Sequence, residues 1–292
     1  MSAAVHTKER LTVSRDGGSA GAFVTGVDLS RMNDAEEIAG IRKALLDNLV
    51  VALPGQNLSL DDLERFTDAL GGCDITPFVK PLEGRPHVIR ILKEPHEKLN
   101  FANAWHTDLS YLEAPPSFTV LYCLETPPAG GDTVWANQYM AFETLSSGLR
   151  DTLLGLNAVH SAGPAYGTGG YLDGVKDKMS TRIEPSKDAY REQVHPAVIA
   201  HAETNRPSLY LNPVYTQRIA GWTKAESDGL LGHVYKHSVN ENFTWSLKWA
   251  RGTLAIWDNR CTQHFALNDY HGHRREMVRT SVKGTKPRAA RA

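Results

Sequence analysis

Three cysteines in 292 residues, Cys73, Cys123 and Cys261, are too few and too far apart for a disulfide framework, and no Cys-x-x-Cys occurs. Reduced thiols in a cytoplasmic protein are the expectation. The chain also lacks an excess of either charge. Its 32 Lys+Arg against 33 Asp+Glu give a formal net charge of -1, which offers no electrostatic case for nucleic acid or a membrane surface. No apolar run approaches the roughly 20 residues of a membrane span, and Met1 to Arg10 is polar, without the apolar core of a leader. No internal repeat and no convincing linker divides the chain. A single domain over residues 1–292 is therefore expected, with a polar, Gly/Ser-rich stretch at 1–18 that should fray. Its partner is expected to be a small molecule, and a homodimer or homotetramer is left open.

What is present reads as a strand-rich chain with a few helices. Gly21 to Leu29 has the pattern of a short strand and turn. Asn33 followed by Glu36 resembles a capping box, and Ile38, Ile41 and Leu45 at helical spacing predict a helix over 34–47. Leu49 to Leu53 is an apolar strand stopped by Pro54-Gly55. Ser59 opens a second helix carrying Leu63, Phe66 and Leu70, ended by Gly71-Gly72. From 75 to 135 short strands, such as Val88–Leu92 and Ser117–Tyr122, follow one another without regular helices. That pattern predicts an antiparallel sandwich or barrel. Helical spacing returns near 141–155, and again after Thr223, whose partner Glu226 completes a capping box. Strands are expected at 197–200, 209–211, 253–257 and 277–282. Residues 161–187 hold five glycines and little periodicity. A segment of that kind is a lid or binding loop over a site, or else disordered.

The chemistry is concentrated in Ala104-Trp105-His106-Thr107-Asp108-Leu109-Ser110. Its apolar and β-favouring neighbours suggest an extended strand or strand end, on which His106 and Asp108 share a face and Thr107 turns away. An imidazole beside a carboxylate is two-thirds of a 2-His-1-carboxylate metal site, although most His-x-Asp pairs are surface hydrogen-bonding partners. Among twelve histidines, His233 and His237 stand four apart on a helix without the glutamate of a metalloprotease helix, and solvated histidines explain them better. His271 and His273 lie in a Gly-containing turn, and His195 and His201 flank a strand as ordinary hydrogen-bonding residues. His264 differs, because it follows the apolar strand ending at Trp257 and precedes a strand carrying Arg275 and Arg279. Four apart on a strand, these arginines share a face, and their planar forks match carboxylates. Either one alone would more simply be an outward salt-bridge partner.

These blocks resemble, in order and spacing, the Fe(II)/2-oxoglutarate-dependent dioxygenases typified by taurine dioxygenase and 2,4-dichlorophenoxyacetate dioxygenase. The resemblance runs from Gly21 to Pro287. It is most specific at Trp105-His106-Thr107-Asp108, at Gly130-Gly131-Asp132-Thr133, and from Ile256 through His264 to Arg274-Arg275. It implies a mostly β fold with flanking helices, a double-stranded β-helix of the jelly-roll, cupin-like kind. It implies that His106, Asp108 and His264 ligate Fe(II), and that Thr133 and Arg275 hold the distal carboxylate of 2-oxoglutarate. Arg279 would face the same pocket, near a substrate or cosubstrate anion. The activity implied is oxidation of a substrate C–H bond by O2, coupled to decarboxylation of 2-oxoglutarate to succinate and CO2.

Taurine-specific relatives carry a histidine and a tyrosine where this chain has Thr76-Pro77-Phe78-Val79, and an asparagine where it has Ala102. With Thr76, Phe78, Val79, Ala102 and Asn103 at the substrate, the expectation is a substrate larger and more apolar than taurine, anionic if Arg279 binds it. Two other classes use the same ligands. A zinc-type metallohydrolase explains the triad but not Thr133 and Arg275. A non-catalytic metal-binding member of the fold is expected to have lost a ligand, and none is lost.

Overall fold

The computed structural model describes residues 11–31 and 34–291. Its centre is a nine-stranded sheet, whose order along the main path is Thr12–Arg15, Ala22–Thr25, Val50–Leu53, Leu254–Asp258, Phe118–Glu125, Arg275–Val282, Arg85–Lys93 and Pro81–Leu82, with Cys73–Asp74 pairing off Arg275–Val282. All of its pairings are antiparallel except that of Ala22–Thr25 with Val50–Leu53. A three-stranded sheet, Thr244–Leu247, Thr133–Asn137 and Thr262–Ala266, packs against it.

Strict alternation along the strands separates two cores. Val120, Tyr122, Leu254, Ile256, Val278 and Val282 point to one face of the large sheet. There they bury Ile41 and Leu45 of the helix Ala35–Asn48, and Leu63, Phe66 and Leu70 of the helix Leu60–Gly71. Thr67 and Thr280 share a 2.7 Å hydrogen bond across that interface. The intervening residues Leu121, Cys123, Ala255, Trp257 and Met277 point the other way, into a core closed by Trp135, Trp245, Leu247 and Trp249 around the small sheet. Arg275 and Arg279 have the same parity as Met277. They therefore enter the space between the sheets, not solvent, and this is the double-stranded β-helix with helices outside. Two further three-stranded sheets and the helix Lys224–Ser238 build a flanking layer around Leu209, Ile219, Leu231 and Val234.

Several elements depart from expectation. Residues 1–10 lie outside the described residues, but 12–15 pair antiparallel with Ala22–Thr25 where fraying was expected, because the backbone of an edge strand is satisfied whatever its side chains expose. Asn33 also lies outside the described residues; the cap observed is Asp34, which accepts from Glu37 N. The helical stretch near 141–155 is two helices, Gln138–Glu143, capped by Asn137, and Ser147–Leu154. The capping boxes Ser59/Asp62 and Thr223/Glu226 both form. No helix among the described residues is long and apolar enough to cross a membrane.

Candidate metal centre and adjoining cavities

The segment 104–110 is not a regular strand. His106 makes a single antiparallel bridge to His264, through the paired bonds His106 N to His264 O at 3.1 Å and His264 N to His106 O at 2.8 Å. The chain then turns, with Leu109 at φ +51. The two histidines are thus brought together by the backbone itself, their ring centroids 4.1 Å apart. Asp108 folds back toward them, its Oδ1 lying 3.6 Å from His106 Nε2 and 3.9 Å from His264 Nε2. Thr107 turns away, as expected, and donates to Thr262 O.

All three side chains are buried, and their ligand atoms lie within 4.8 Å of one another. The surroundings fit a divalent cation. His106 Nδ1 is 2.7 Å from the Ala104 carbonyl, which can only accept, so Nδ1 carries the proton and the Nε2 lone pair faces the cluster. Asp108 Oδ2 accepts from Thr119 Oγ1 at 2.8 Å, and Thr119 Oγ1 accepts in turn from Asn259 Nδ2 at 2.9 Å. That leaves Oδ1 turned toward the two imidazoles, with Arg279 Nη1 3.0 Å from it. Burial opposes charge on Asp108, but the Arg279 guanidinium 3.0 Å away and the two imidazoles outweigh it and hold the carboxyl well below its usual range. Burial and the neighbouring His106 hold the His264 imidazole neutral. An anionic Asp108 and a neutral His264 are the protonation states that a metal ion requires of them.

A second buried trio, His201, Asp258 and Cys261, has similar spacing, but its imidazole and carboxylate are already engaged. His201 Nδ1 accepts from Glu203 N and Thr204 N, so its Nε2 donates to Asp258 Oδ2 at 2.9 Å. Arg260 takes both Asp258 oxygens, at 2.8 and 2.7 Å. This is a hydrogen-bonded brace under the turn that leads to His264.

On the His264 side of the triad lies a narrow cavity lined by Leu121, Thr133, Trp257, His264, Arg275 and Arg279 among others. Nε and Nη2 of both arginines are buried without a hydrogen-bond partner among the described residues. Burial pulls the Arg275 pKa down, and the neighbouring Tyr270, Cys123 and Asp132 only partly compensate. Thr133 Oγ1 accepts from Trp249 Nε1 at 3.0 Å, which leaves its own proton to donate. Gly131, at φ +73, keeps this wall thin, because a Cβ there would come within 3.3 Å of Tyr270 and Arg275. Buried cations with unsatisfied donors make a pocket built for an anion.

On the His106 side is a larger cavity of about 220 Å³, lined by Leu99, Phe101, Tyr166, Leu172, Met179 and Tyr215 together with Ala102 and Asn103. Of the residues expected at the substrate, Ala102 and Asn103 line this cavity. Phe78 stands behind it against Tyr111 and Tyr166, and Val79 is buried in the apolar cluster, bridged to Ile183. Thr76 lines neither cavity. The tyrosines Tyr111, Tyr166 and Tyr215 were not anticipated. Tyr111 stands five residues after His106, within reach of sequence reasoning, whereas nothing in the sequence ties Tyr166 or Tyr215 to the triad. Of the other histidines weighed in the sequence, His195 Nε2 pairs with Leu112 O, His237 Nε2 with Ala141 O, and His233, His271 and His273 are exposed.

Comparison with known proteins agrees with this geometry. Residues 13–281 match the model of the family described as taurine catabolism dioxygenase TauD, TfdA family. The chain is 31% identical to an alkylsulfatase of Acinetobacter baylyi, over 94% of this chain and 86% of that protein. It is 33% identical to an alpha-ketoglutarate-dependent sulfate ester dioxygenase of Pseudomonas putida, over 98% and 94%. A crystal structure of a taurine dioxygenase from Burkholderia xenovorans superposes with a TM-score of 0.80 at 32% identity, covering 95% of this chain and 92% of that one. The chain belongs to the TauD/TfdA family, and it is a 2-oxoglutarate-dependent non-haem iron dioxygenase that uses Fe(II), 2-oxoglutarate and O2.

Proposed function

We propose that the enzyme oxidises the carbon next to the ester oxygen of a medium-length alkyl sulfate, releasing sulfate and an aldehyde as 2-oxoglutarate becomes succinate and CO2. In this reading His106, Asp108 and His264 hold Fe(II), and Thr133 and Arg275 hold the distal carboxylate of 2-oxoglutarate. The metal bound there, with 2-oxoglutarate and O2, supplies the oxidising power that no side chain has. The residues of the chain do the rest. Ala104 O fixes the His106 tautomer, Thr119 orients Asp108, and Arg275 and Thr133 neutralise and align the cosubstrate in a dry pocket.

The observation that carries the substrate assignment is the pairing of an apolar cavity with a charged one on either side of the triad. Leu99, Phe101, Leu172 and Met179 offer an alkyl chain apolar contact next to His106, while Arg279 keeps two buried N–H groups unpaired. Taurine, short and carrying an ammonium group, would find no polar partner at Phe78, Val79 or Ala102. The sulfate-ester activities in the names of the two relatives support the choice within the organic anions, among which sulfonates and aryloxy acids are the neighbours. A hydroxyl placed beside an ester oxygen makes an unstable half-ester, so C–O cleavage follows without a further catalytic group. A hydrolytic zinc enzyme would leave the arginine-lined pocket without a purpose.

The segment 161–187 serves in this reading as a lid, since Tyr166, Leu172 and Met179 from it form a wall of the apolar cavity. We assign the whole chain to one dioxygenase domain acting in the cytoplasm, consistent with three unpaired buried cysteines. Its partner is a small organic molecule, not nucleic acid, and a homodimer or homotetramer fits a chain of this kind. Succinate release with Fe(II), ascorbate and O2 over hexyl sulfate, hexane-1-sulfonate, an aryloxyacetate, hexan-1-ol and taurine tests the assignment. Hexyl sulfate should give the highest kcat/KM. Taurine as the best substrate would overturn the pocket argument, and hexan-1-ol would overturn the role of Arg279.

A further inference from the structure

Leu99 and Met179 belong to two cavities at once. Both line the apolar cavity that reaches the metal ligand His106, and both line an outer hollow of about 490 Å³ that does not reach it. The rest of the outer lining is polar: His96, Glu97, Lys98, Asp177, Lys178 and Ser180. His96, Lys98, Asp177 and Lys178 are exposed, so the outer hollow is wet. The two shared side chains come from different segments, Leu99 from the loop after the strand Arg85–Lys93 and Met179 from the segment 161–187. Those segments are strapped together beside them. Ser180 Oγ donates to Glu97 Oε1 at 2.7 Å, and the buried Glu97 accepts from Glu94 N at 3.0 Å through Oε2. Thr181 Oγ1 then accepts from Leu92 N and donates to Leu92 O. The strap lies next to Met179 in sequence and two residues before Leu99, and it sets how far apart the two side chains are carried.

We propose that Leu99 and Met179 are the specificity residues that set the length of the alkyl chain this enzyme accepts. The proposal rests on the reading above that the cavity beside His106 takes the carbon chain of the substrate, and it deepens that reading. A chain lying in the cavity gains about fourfold in affinity for each methylene it buries. Once its end reaches the border formed by Leu99 and Met179, a further methylene has two ways to go. It can push these side chains aside, or it can pass between them into a wet hollow whose walls offer an alkyl group nothing. Either way the gain per methylene stops. Methionine suits such a border, because its three rotatable bonds let it yield without a fixed clash.

The test is anaerobic calorimetry of the Fe(II)- and 2-oxoglutarate-loaded enzyme with butyl, hexyl, octyl and decyl sulfate and with the matching alkan-1-ols. Wild-type affinity should climb with chain length and then level off. Met179→Ala removes three heavy atoms from the border, so the break should move to chains longer by about two or three carbons. Decyl sulfate should then gain about 10- to 60-fold relative to hexyl sulfate. Leu99→Ala should shift the break the same way, and Met179→Trp should shift it to shorter chains. Each ratio is taken within one protein, so a partial loss of folded enzyme cancels. A wild type without a break up to decyl sulfate would overturn the proposal, as would losses in the variants that are equal at every length. A break left in place by either alanine substitution would take that residue out of the border. Alkan-1-ols that bind as tightly as the sulfates, with the same break and shifts, would overturn the anion reading and leave the border standing. Binding of neither series to the wild type would overturn both.

Discussion

Thr119 Oγ1 donates to Asp108 Oδ2 at 2.8 Å from the strand next to the one that carries Arg279, which lies 3.0 Å from Oδ1 of the same carboxylate. One oxygen is thereby pinned and the other kept for a cation. Replacing Thr119 with valine preserves shape and removes the pin. Divalent-cation affinity should fall about 10- to 100-fold, the usual cost of losing a group that orients a ligand. Mn(II) titration of the metal-free protein reads it directly, and an unchanged affinity would show that Arg279 alone suffices to orient Asp108.

Loss of any one ligand, by His106→Ala, Asp108→Ala or His264→Ala, should abolish turnover. The three are not equivalent for stability, however. Asp108→Ala leaves the buried Arg279 without the one ion-pair partner it has among the described residues, which costs about 3–5 kcal/mol. The histidine variants leave no comparable buried charge unpaired, and His264 is held neutral by burial and His106. Urea unfolding of the metal-free variants should therefore single out Asp108→Ala as the least stable. Equal stabilities would mean that Arg279 finds another partner.

Arg275→Ala should raise the 2-oxoglutarate requirement sharply, because a buried carboxylate would lose a bidentate partner worth roughly 2–5 kcal/mol. The KM for 2-oxoglutarate, measured at saturating substrate, is the quantity to compare. No change would place the cosubstrate elsewhere than the Thr133–Arg275 pocket.

The inward arginines were legible because they depend on local parity, and the grouping of His106, Asp108 and His264 because the residue types themselves stand out. Strand alternation carries Arg275 and Arg279 inward together with Met277, and a His-x-Asp pair with a distant histidine is a compact signal. The strand assumed for 104–110 was not legible, since the juxtaposition of His106 with Asp108 comes from one bridge and a turn at Leu109, not from strand geometry. The aromatic wall was invisible for a different reason. Tyr111, Tyr166 and Tyr215 are 55 and 49 residues apart in sequence, and only tertiary folding of irregular segments unites them. The hydrogen bonds that hold those segments, such as Asn212 to Ser110, link side chains without any periodicity.

Stability should fall on mild acidification. Burial, reinforced by the neighbouring His195, pushes His160 down to about 3, and burial lowers His195 as well. Their ring centroids are 5.4 Å apart, and Ser110 Oγ meets His160 Nδ1 at 3.1 Å. A histidine depressed in the folded state is protonated first in the unfolded chain, near pH 6.5. Its contribution is therefore complete above that pH and is lost as pH falls toward the folded value. By about pH 5 the loss from His160 should reach about 2 kcal/mol. Urea unfolding at about pH 7.5 and 5 should show it, and His160→Gln, which can still bond Ser110 but cannot titrate, should remove most of it. An equal loss in the variant would assign the acid sensitivity to other groups.

The lid assignment makes a residue-level prediction, because the segment 161–187 is not uniformly held. Its two ends are tied to the body: Ser161 N bonds Tyr215 O, Thr181 Oγ1 bonds the backbone of Leu92, and Lys80 N and Glu184 N bond Arg182 O and Phe78 O. Between them, among the described residues, the backbone-to-backbone bonds of 167–178 run to other residues of the same segment, as from Tyr171 N to Pro164 O and Gly174 N to Gly170 O, and one side chain from outside, Tyr190, donates to Thr168 O at 3.2 Å. Such turns open without disturbing the sheets, so their amides should exchange far faster than those of 181–184 or of the strand Arg275–Val282. Leu172 and Met179 line the apolar cavity from this segment. An alkyl chain seated there would give the segment the packing it lacks, and exchange across 167–178 should slow when hexyl sulfate is added to the Fe(II)- and 2-oxoglutarate-loaded enzyme without O2. Protection equal to that of the sheet before any ligand is added would make this segment a fixed wall, and the substrate would then need another way in.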